Sequence, residues 1–347
     1  VLTDSVHHSR QLEEELALVS AQENLAVLHF PVWDTLPYDV FSPNPEIISE
    51  RLNFLQQISN HRDHGIVVMP VQNLMQKVPP KDFIKGRSFQ VKIGEQLVLN
   101  QWRQRLDKNG YRHVTEVREA GEYVVRGGVL DIFPMGGLDA FRIELFDDEV
   151  ESIRIFDTDS QLTIQQVEHI RVMPANEFPF DDKARELFLS RFREYFDVNT
   201  SRSEIYQDVR KGLNFSGIEH YLPMFHESLS DVFAYLPADA TVVHCHNSSD
   251  VLATWEKQIK ARYEDRRHDL QRPLVPPDSL YLSAKYTGQL LTDYQQIWIN
   301  APRQDVQQVN FHSSLITKPD FEDRSITDYF NQNPDRVLIC LLYTSPS

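Results

Sequence analysis

Basic residues, cysteine and long apolar runs are all scarce in this sequence of 347 residues, and each shortage argues against a class of protein. Lys and Arg number 35 against 51 Asp and Glu, which gives a formal net charge of −16. Non-specific duplex binding and docking to anionic membranes both depend on clustered cations, so the composition favours neither. No apolar run approaches the roughly 20 residues that span a bilayer. Two cysteines, Cys245 and Cys340, make no disulfide framework, so we expect a reducing, cytoplasmic location.

Motifs for nucleotide hydrolysis, acyl transfer and zinc binding are missing as well. No Gly-Lys pair occurs, so the phosphate loop G-x-x-x-x-G-K-[S/T] is absent, and Gly-x-Ser-x-Gly, His-Glu-x-x-His and Cys-x-x-Cys do not occur. The tripeptide His244-Cys245-His246 is the most metal-like cluster, but no second ligand pair lies at zinc spacing. A strand end near the surface is therefore the favoured interpretation. We expect no catalytic residue, no cofactor and no metal in this chain.

The sequence does contain an alternation of helix and strand signals that is interrupted by a strand-rich stretch. Residues 1–87 alternate short apolar strands with helices, which indicates a parallel sheet in an α/β layer. Residues 88–174 are typical of a small, mostly antiparallel α+β unit. Residues 175–310 return to α/β, so the middle unit is predicted to lie between two halves of one larger domain. We expect residues 311–347 to form a linker and the truncated start of a further domain, in a chain that begins at Val1 as a fragment.

Capping and breaking residues predict the limits of several elements. A short oxygen side chain at Ser49 is expected to cap the helix that carries Leu52 and Leu55 on one face. Gly110 is expected to end a helix in left-handed backbone. Residues 111–117 are interpreted as a full strand of the middle unit.

A hairpin in the middle unit supplies the sharpest prediction from the residues alone. Its strands, 141–146 and 150–156, are joined by an acidic turn, and alternation places Arg142 and Phe146 on a polar face. The opposite face is expected to build the core from Ile143, Leu145, Ile153 and Ile155. Aromatic residues and Arg are enriched at binding hot spots, which suggests a protein interface. The alternative is that the pleat breaks near the turn and the ring of Phe146 folds back onto the core.

Residues 121–134, GEYVVRGGVLDIFP, are similar to a stretch shared by bacterial transcription-repair coupling factors (Mfd) and the excision-repair helicase UvrB. In that stretch V-R-G-x-[VL]-[LIV]-[DE]-[IL]-F-P opens the segment that contacts UvrA. Three further stretches resemble the coupling factors specifically: LPYDVFSPNPEIISERL at 36–52, FDDEVESIRIFD at 146–157 and GIEHYLPMF at 217–225. The resemblance covers residues 1 to about 340.

This resemblance implies an N-terminal UvrB-like module, truncated at both ends. Its RecA-like parallel-sheet domain is divided into domain 1A, here 1–87, and domain 1B, here 175–310, with the UvrA-interaction domain 2 at 88–174. The implied function is to recruit UvrA to DNA lesions at stalled RNA polymerase in nucleotide excision repair. The resemblance also implies that the translocase, which uses ATP and Mg²⁺, and the contacts with RNA polymerase and DNA belong to C-terminal domains missing from this sequence.

The residues that contact UvrA in the family correspond to Arg126, Arg142 and Phe146. Arg126 lies in the V-R-G motif, Arg142 precedes Ile143, and Phe146 precedes the acidic turn. The resemblance implies that the two guanidiniums form charge-assisted bonds to carboxylates of UvrA and that Phe146 is a buried anchor.

Two other functions stay open at the level of the sequence. A UvrB-like ATP-dependent helicase fragment would have a working nucleotide loop upstream, and it would carry a tyrosine-rich hairpin that inserts into DNA. Residues 33–45 are too short for that hairpin. The third possibility is an α/β interaction domain with a different partner, which a pulldown with UvrA would distinguish.

Overall fold

The structure is a computed structural model, and it describes residues 1–20, 25–60 and 65–299. These residues belong to one compact unit. The predicted linker and further domain at 311–347 lie outside the described residues. In chain order the described strands are β1 (Leu2–Thr3), β2 (Ala26–His29), β3 (Gly65–Pro70), β4 (Phe89–Lys92), β5 (Arg112–His113), β6 (Glu122–Arg126), β7 (Val129–Phe133), β8 (Ala140–Phe146), β9 (Glu149–Phe156), β10 (Thr163–Val167), β11 (His169–Val172), β12 (Thr241–His244) and β13 (Gln295–Trp298).

The helices lie mainly at the two ends of the described chain. They are α1 (Val6–Ser20), α2 (Pro45–Asn60), α3 (Lys81–Arg87), α4 (Leu99–Lys108), α5 (Asp182–Tyr195), α6 (Glu204–Lys211), α7 (Leu222–Phe225), α8 (Ser248–Arg266), α9 (Pro277–Leu280) and α10 (Ala284–Leu291). None of these described helices combines the length and the apolar character that a bilayer span requires.

A five-stranded parallel sheet unites strands from both ends of the chain. Its order is β13-β12-β1-β3-β2, and each pair of neighbours is parallel. The first three described strands therefore share a sheet with the last two, although 170 residues lie between β3 and β12. The predicted fold class, a parallel-sheet α/β domain with a separate α+β part, is confirmed; the exact domain boundaries stay a prediction.

The intervening residues form two further sheets. The larger has the order β10-β9-β8-β7-β6-β5 and is antiparallel except for the pair β5 and β6. The smaller pairs β11 with β4 in antiparallel register. The strand predicted at 111–117 is wrong in extent: β5 has two residues, and it runs parallel to β6 through Arg112 and Glu122.

Local signals in the amino-acid sequence predict the end of α4 correctly and the start of α2 wrongly. Gly110 follows α4 with φ +87°, as predicted for a left-handed helix stop. The start of α2 was predicted wrongly at Ser49. The helix begins at Pro45, because Asn44 accepts a hydrogen bond from the Glu46 N–H (2.9 Å) and proline is favoured in the first helical turn. Ser49 instead accepts a hydrogen bond from the Gly136 N–H (2.7 Å).

A buried ion pair joins α2 to the segment that precedes α5. Nε of Arg51 donates to Oε1 of Glu177 (2.6 Å), and neither side chain has any exposed surface. The second carboxylate oxygen accepts a hydrogen bond from Nε1 of Trp33 (3.1 Å). Nη1 of Arg51 donates to the carbonyl oxygen of Pro31 (2.7 Å), and the guanidinium lies 4.4 Å from the ring centre of Phe30. Protein groups therefore stabilise both buried charges, the Arg51 guanidinium and the Glu177 carboxylate, in place of the water that they lack.

We expect Arg51→Met to destabilise the folded chain by about 3–5 kcal/mol, because it leaves the Glu177 carboxylate buried without its cation. The measurement is the free energy of unfolding from urea denaturation. The matched control is Arg10→Met, which breaks the ion pair of Arg10 with Glu50 at the surface, where both side chains are more than a third exposed. That change should cost at most about 1 kcal/mol. Equal losses for the two variants would contradict the prediction.

Candidate protein interface on the six-stranded sheet

One face of the six-stranded sheet is packed into the main core. Leu130, Ile143 and Ile153 lie on it without exposed surface, in one cluster with Leu106 of α4. The hydroxyl of Tyr123 on the same face donates to Oδ1 of Asp107 in α4 (2.6 Å). We call the opposite face of this sheet, which carries Arg126, Arg142, Glu144, Phe146 and Arg154, the outer face.

The β8–β9 hairpin differs from simple alternation at a bulge. Ile143 pairs with Ile153 and Glu144 with Ser152, but Leu145 pairs with Val150, so Glu151 is the extra residue. Val150 is thereby brought onto the core face and buried, while Glu151 is exposed. Ile143 and Ile153 are core residues as predicted. Leu145 is only partly buried, and the prediction that Ile155 is a core residue was wrong, because it lies half-buried near the sheet edge.

Phe146 ends β8 with its ring in solvent, 71% exposed. It pairs with Glu149 across the hairpin, and Asp147 at the turn adopts φ +53°. The pleat therefore persists to the last residue of the strand, and the alternative in which the ring folds back onto the core is wrong. The three residues that follow this ring in the chain, Asp147, Asp148 and Glu149, are exposed carboxylates at the hairpin turn.

Arg142 lies on the outer face and is held by an acidic neighbour on β7. Its Nε donates to Oδ1 of Asp131 (2.8 Å) and its Nη2 to Oδ2 (2.9 Å), which is the bidentate geometry. Asp131 is almost fully buried, whereas the Arg142 side chain keeps 21% of its surface exposed. The hydrogen bonds to Asp131 raise the pKa of the Arg142 guanidinium above its ordinary value. The guanidinium also lies 5.0 Å from the ring centre of Phe156.

Arg126 ends β6 and is exposed on the same face. It pairs with Val129, which in turn pairs with Glu144 on β8, so two strand spacings separate Arg126 from β8. From strand geometry we estimate about 12 Å between Arg126 and Phe146, and about 14 Å along β8 between Arg142 and Phe146. Arg126 donates to the carbonyl oxygen of Thr115. The structure thus brings all three candidate residues onto one face, although they do not touch one another.

Between these residues the outer face carries a second set of polar side chains, which form hydrogen bonds with one another. Glu144 accepts hydrogen bonds from Oγ of Ser152 (2.7 Å) and from Nη1 of Arg154 (3.3 Å). The sequence reasoning missed Asp131 as the partner of Arg142. A signal for it did exist: Asp131 is a single charged residue within the apolar strand VLDIF.

Two other regions considered in the sequence, the metal-like tripeptide and residues 33–45, contribute side chains to the packing of the described fold. His244 is buried, accepts or donates a hydrogen bond with Oγ of Ser248 (2.7 Å) and stacks on Trp298 with 3.8 Å between ring centres. Phe41, one of three aromatic residues in the segment where UvrB carries its DNA hairpin, is 65% exposed, but the other two, Trp33 and Tyr38, are buried. Their rings are therefore unavailable for insertion between bases.

Comparisons with known proteins match the middle of the chain to one domain family and most of the chain to longer proteins. The family model of the UvrB interaction domain matches residues 89–178, which contain β4 to β11 and hence the whole outer face. A transcription-repair-coupling factor of Haemophilus influenzae is 39% identical over 313 residues, 89% of this chain and 27% of its own length. The Escherichia coli protein of the same name is 37% identical over 321 residues, 92% of this chain and 28% of its own. The chain thus spans about a quarter of the length of these relatives.

We expect Arg142→Ala to lower the free energy of unfolding by about 2 kcal/mol, because Asp131 would stay buried with an unpaired charge. Phe146→Ala should change stability by no more than about 0.5 kcal/mol, since the ring has no core contacts to lose.

Urea denaturation of Arg142→Ala, Asp131→Asn and the double variant measures the coupling between the two residues. The double variant should recover part of the loss, because the neutral amide no longer requires a cation. A strictly additive double variant would show that the ion pair does not link the two positions.

Proposed function

This chain belongs to the family of transcription-repair coupling factors, and on that premise we propose that the outer face of its UvrB interaction domain binds UvrA. The observation that carries the proposal is the exposed ring of Phe146, on the same face as Arg126, within the residues that match the family model. The proposed task of the module is to bring UvrA to DNA lesions at stalled RNA polymerase in nucleotide excision repair.

Phe146 has the properties of an anchor that a partner's apolar pocket would cover. Burying an exposed phenylalanine ring removes on the order of 100 Å² from water, worth about 3 kcal/mol. The backbone under the ring is fixed by the hairpin, because Leu145 N–H donates to the Gly128 carbonyl (2.8 Å) and Leu97 N–H to that of Asp148 (2.6 Å). Little conformational entropy is therefore lost when the ring docks.

The charges around the ring favour one orientation of the partner. Three exposed carboxylates adjoin Phe146, and the guanidinium of Arg126 lies at the other side of the outer face. A complementary partner would surround its apolar pocket with Lys or Arg and would place a carboxylate opposite Arg126. Such a pattern sets the register of docking and the rate of association more than the affinity.

The proposal assigns no enzymatic step to this chain. The contacts with RNA polymerase and DNA, and the ATP- and Mg²⁺-dependent translocase, would belong to other parts of a protein more than three times as long as this chain. The burial of Trp33 and Tyr38 argues against the UvrB-like helicase alternative, because it leaves Phe41 as the one exposed aromatic ring of residues 33–45.

We expect Phe146→Ala to weaken binding of UvrA by about 2 kcal/mol or more, and Arg126→Ala to weaken it by a smaller amount. Calorimetric titration of each variant with UvrA gives the dissociation constant, and thermal melts verify the fold. The matched control is Phe41→Ala, which removes another exposed ring (65%) from a segment outside the UvrB interaction domain. Unchanged affinity for Phe146→Ala with an intact melt would refute the anchor role.

We expect the isolated chain to show no ATP hydrolysis above a buffer blank, because its sequence contains no Gly-Lys pair and no phosphate loop. The measurement is a coupled ATPase assay on protein taken through a second purification step. Turnover that follows the protein through that step would overturn this expectation and would revive the helicase alternative.

A further inference from the structure

The carboxyl ends of β1 and β12 meet at the point where the strand order of the parallel sheet reverses. Leu2 of β1 pairs with His244 of β12, and the Cys245 N–H donates to the Leu2 carbonyl oxygen (3.0 Å). On one side of this boundary lie β3 and β2, and on the other lies β13. Open parallel sheets bind ligands in the crevice outside such a switch point, because the chain turns away in opposite directions there.

Three side chains that leave this edge converge on one small volume. Asp4 follows β1, His8 lies one turn into α1, and His246 follows β12. Nδ1 of His8 is 3.2 Å from Oδ1 of Asp4, and Nε2 of His246 is 3.7 Å from Oδ2. One nitrogen or oxygen of each residue lies within 4.8 Å of the other two.

These separations are close to those of a metal's ligands. Donor atoms around a tetrahedral Zn²⁺ with bonds of about 2.0–2.1 Å lie roughly 3.3 Å from one another. Two imidazoles and one carboxylate form a frequent three-ligand set in sites that keep one position open. The two rings meet edge to face, 5.1 Å between centres, so their lone pairs can point to a common centre without the rings clashing.

The neighbouring residues leave this group free for an ion. The cap of α1 is Ser5, whose Oγ accepts a hydrogen bond from the His8 N–H (3.3 Å), so Asp4 is not needed for that purpose. His244, the other histidine of the tripeptide His244-Cys245-His246, bonds to Ser248 and stacks on Trp298 instead. Of the tripeptide, His246 alone belongs to this candidate ligand set. The other two members, Asp4 and His8, lie more than 230 residues away in the sequence.

We propose that Asp4, His8 and His246 bind a divalent transition-metal ion of the Zn²⁺ class, with water in the open position. The ion links the start of the chain to the loop between β12 and α8. It adds a bond between the two parts of the parallel sheet at the place where β1 pairs with β12. The site is independent of the proposed interface, which lies on a different sheet.

The test is a calorimetric titration of the 347-residue chain with ZnCl₂. We expect a saturable isotherm with one ion per chain, and at least about tenfold weaker affinity in His8→Gln and in His246→Gln. The matched control is His7→Gln, an exposed histidine beside the site, which should bind as the unmodified chain does. Lowering the pH should weaken binding, since protons compete with the metal for imidazole nitrogen.

Thermal melts separate loss of the site from loss of the fold. Zn²⁺ should raise the melting temperature of the unmodified chain and of His7→Gln, because it binds the native state, and leave that of the double variant His8→Gln/His246→Gln unchanged. Without Zn²⁺ all three proteins should melt alike. Absence of saturable binding, or equal affinity in the double variant, would overturn the proposal; should the double variant not fold, Asp4→Asn takes its place under the same criterion.

Discussion

Arg51 and Glu177 place two opposite charges where water reaches neither, and the convergence of distant chain segments follows from that constraint. An uncompensated ion at such a depth costs several kcal/mol, so structures that separate the pair are strongly disfavoured. The segment after β2 supplies Pro31 and Trp33 as further partners, and α2 supplies the guanidinium. The ion pair thus specifies which segments meet, whereas the apolar contacts around it provide most of the favourable burial.

The same helix positions the part of the chain that carries the proposed interface. Ser49, two residues before Arg51, accepts a hydrogen bond from Gly136 in the β7–β8 connection. Gly136 has φ +80°, left-handed backbone that glycine adopts without strain, and a Cβ there would require the end of the Met173 side chain to move. The β7–β8 connection is thus bonded to α2 at the end of the sheet opposite the hairpin tip, where the ring of Phe146 lies in solvent. A sheet held in this way presents a preorganised surface and not a loop that must fold on binding.

Patterns of local origin were predictable from the sequence, and pairings between distant residues were not. Period-two alternation suffices to place Phe146 opposite Ile143, because strand geometry alone determines the face. The bulge at Glu151 and the two-residue length of β5 depend on pairing with neighbouring strands, which no local pattern contains. The partner of Arg142 and the cap of α2 were missed for related reasons: the first lies on another strand, and the second depends on Asn44 competing successfully with Ser49.

Arg142 shows why residues that share a face can contribute to binding in different ways. Two of its donors are already bonded to Asp131 at 2.8 and 2.9 Å, so a partner's carboxylate gains little by competing for them. Its third contact, from Nη1 to the Gln161 carbonyl, is longer at 3.3 Å, and that donor is the one a partner can recruit. Because Asp131 holds the guanidinium in one rotamer, the donor is offered without the entropy loss that a free arginine side chain would incur. Truncating Arg142 would therefore remove both a proposed contact and the charge that Asp131 requires, whereas truncating Phe146 would remove a proposed contact alone. Only the second change tests the proposed interface directly.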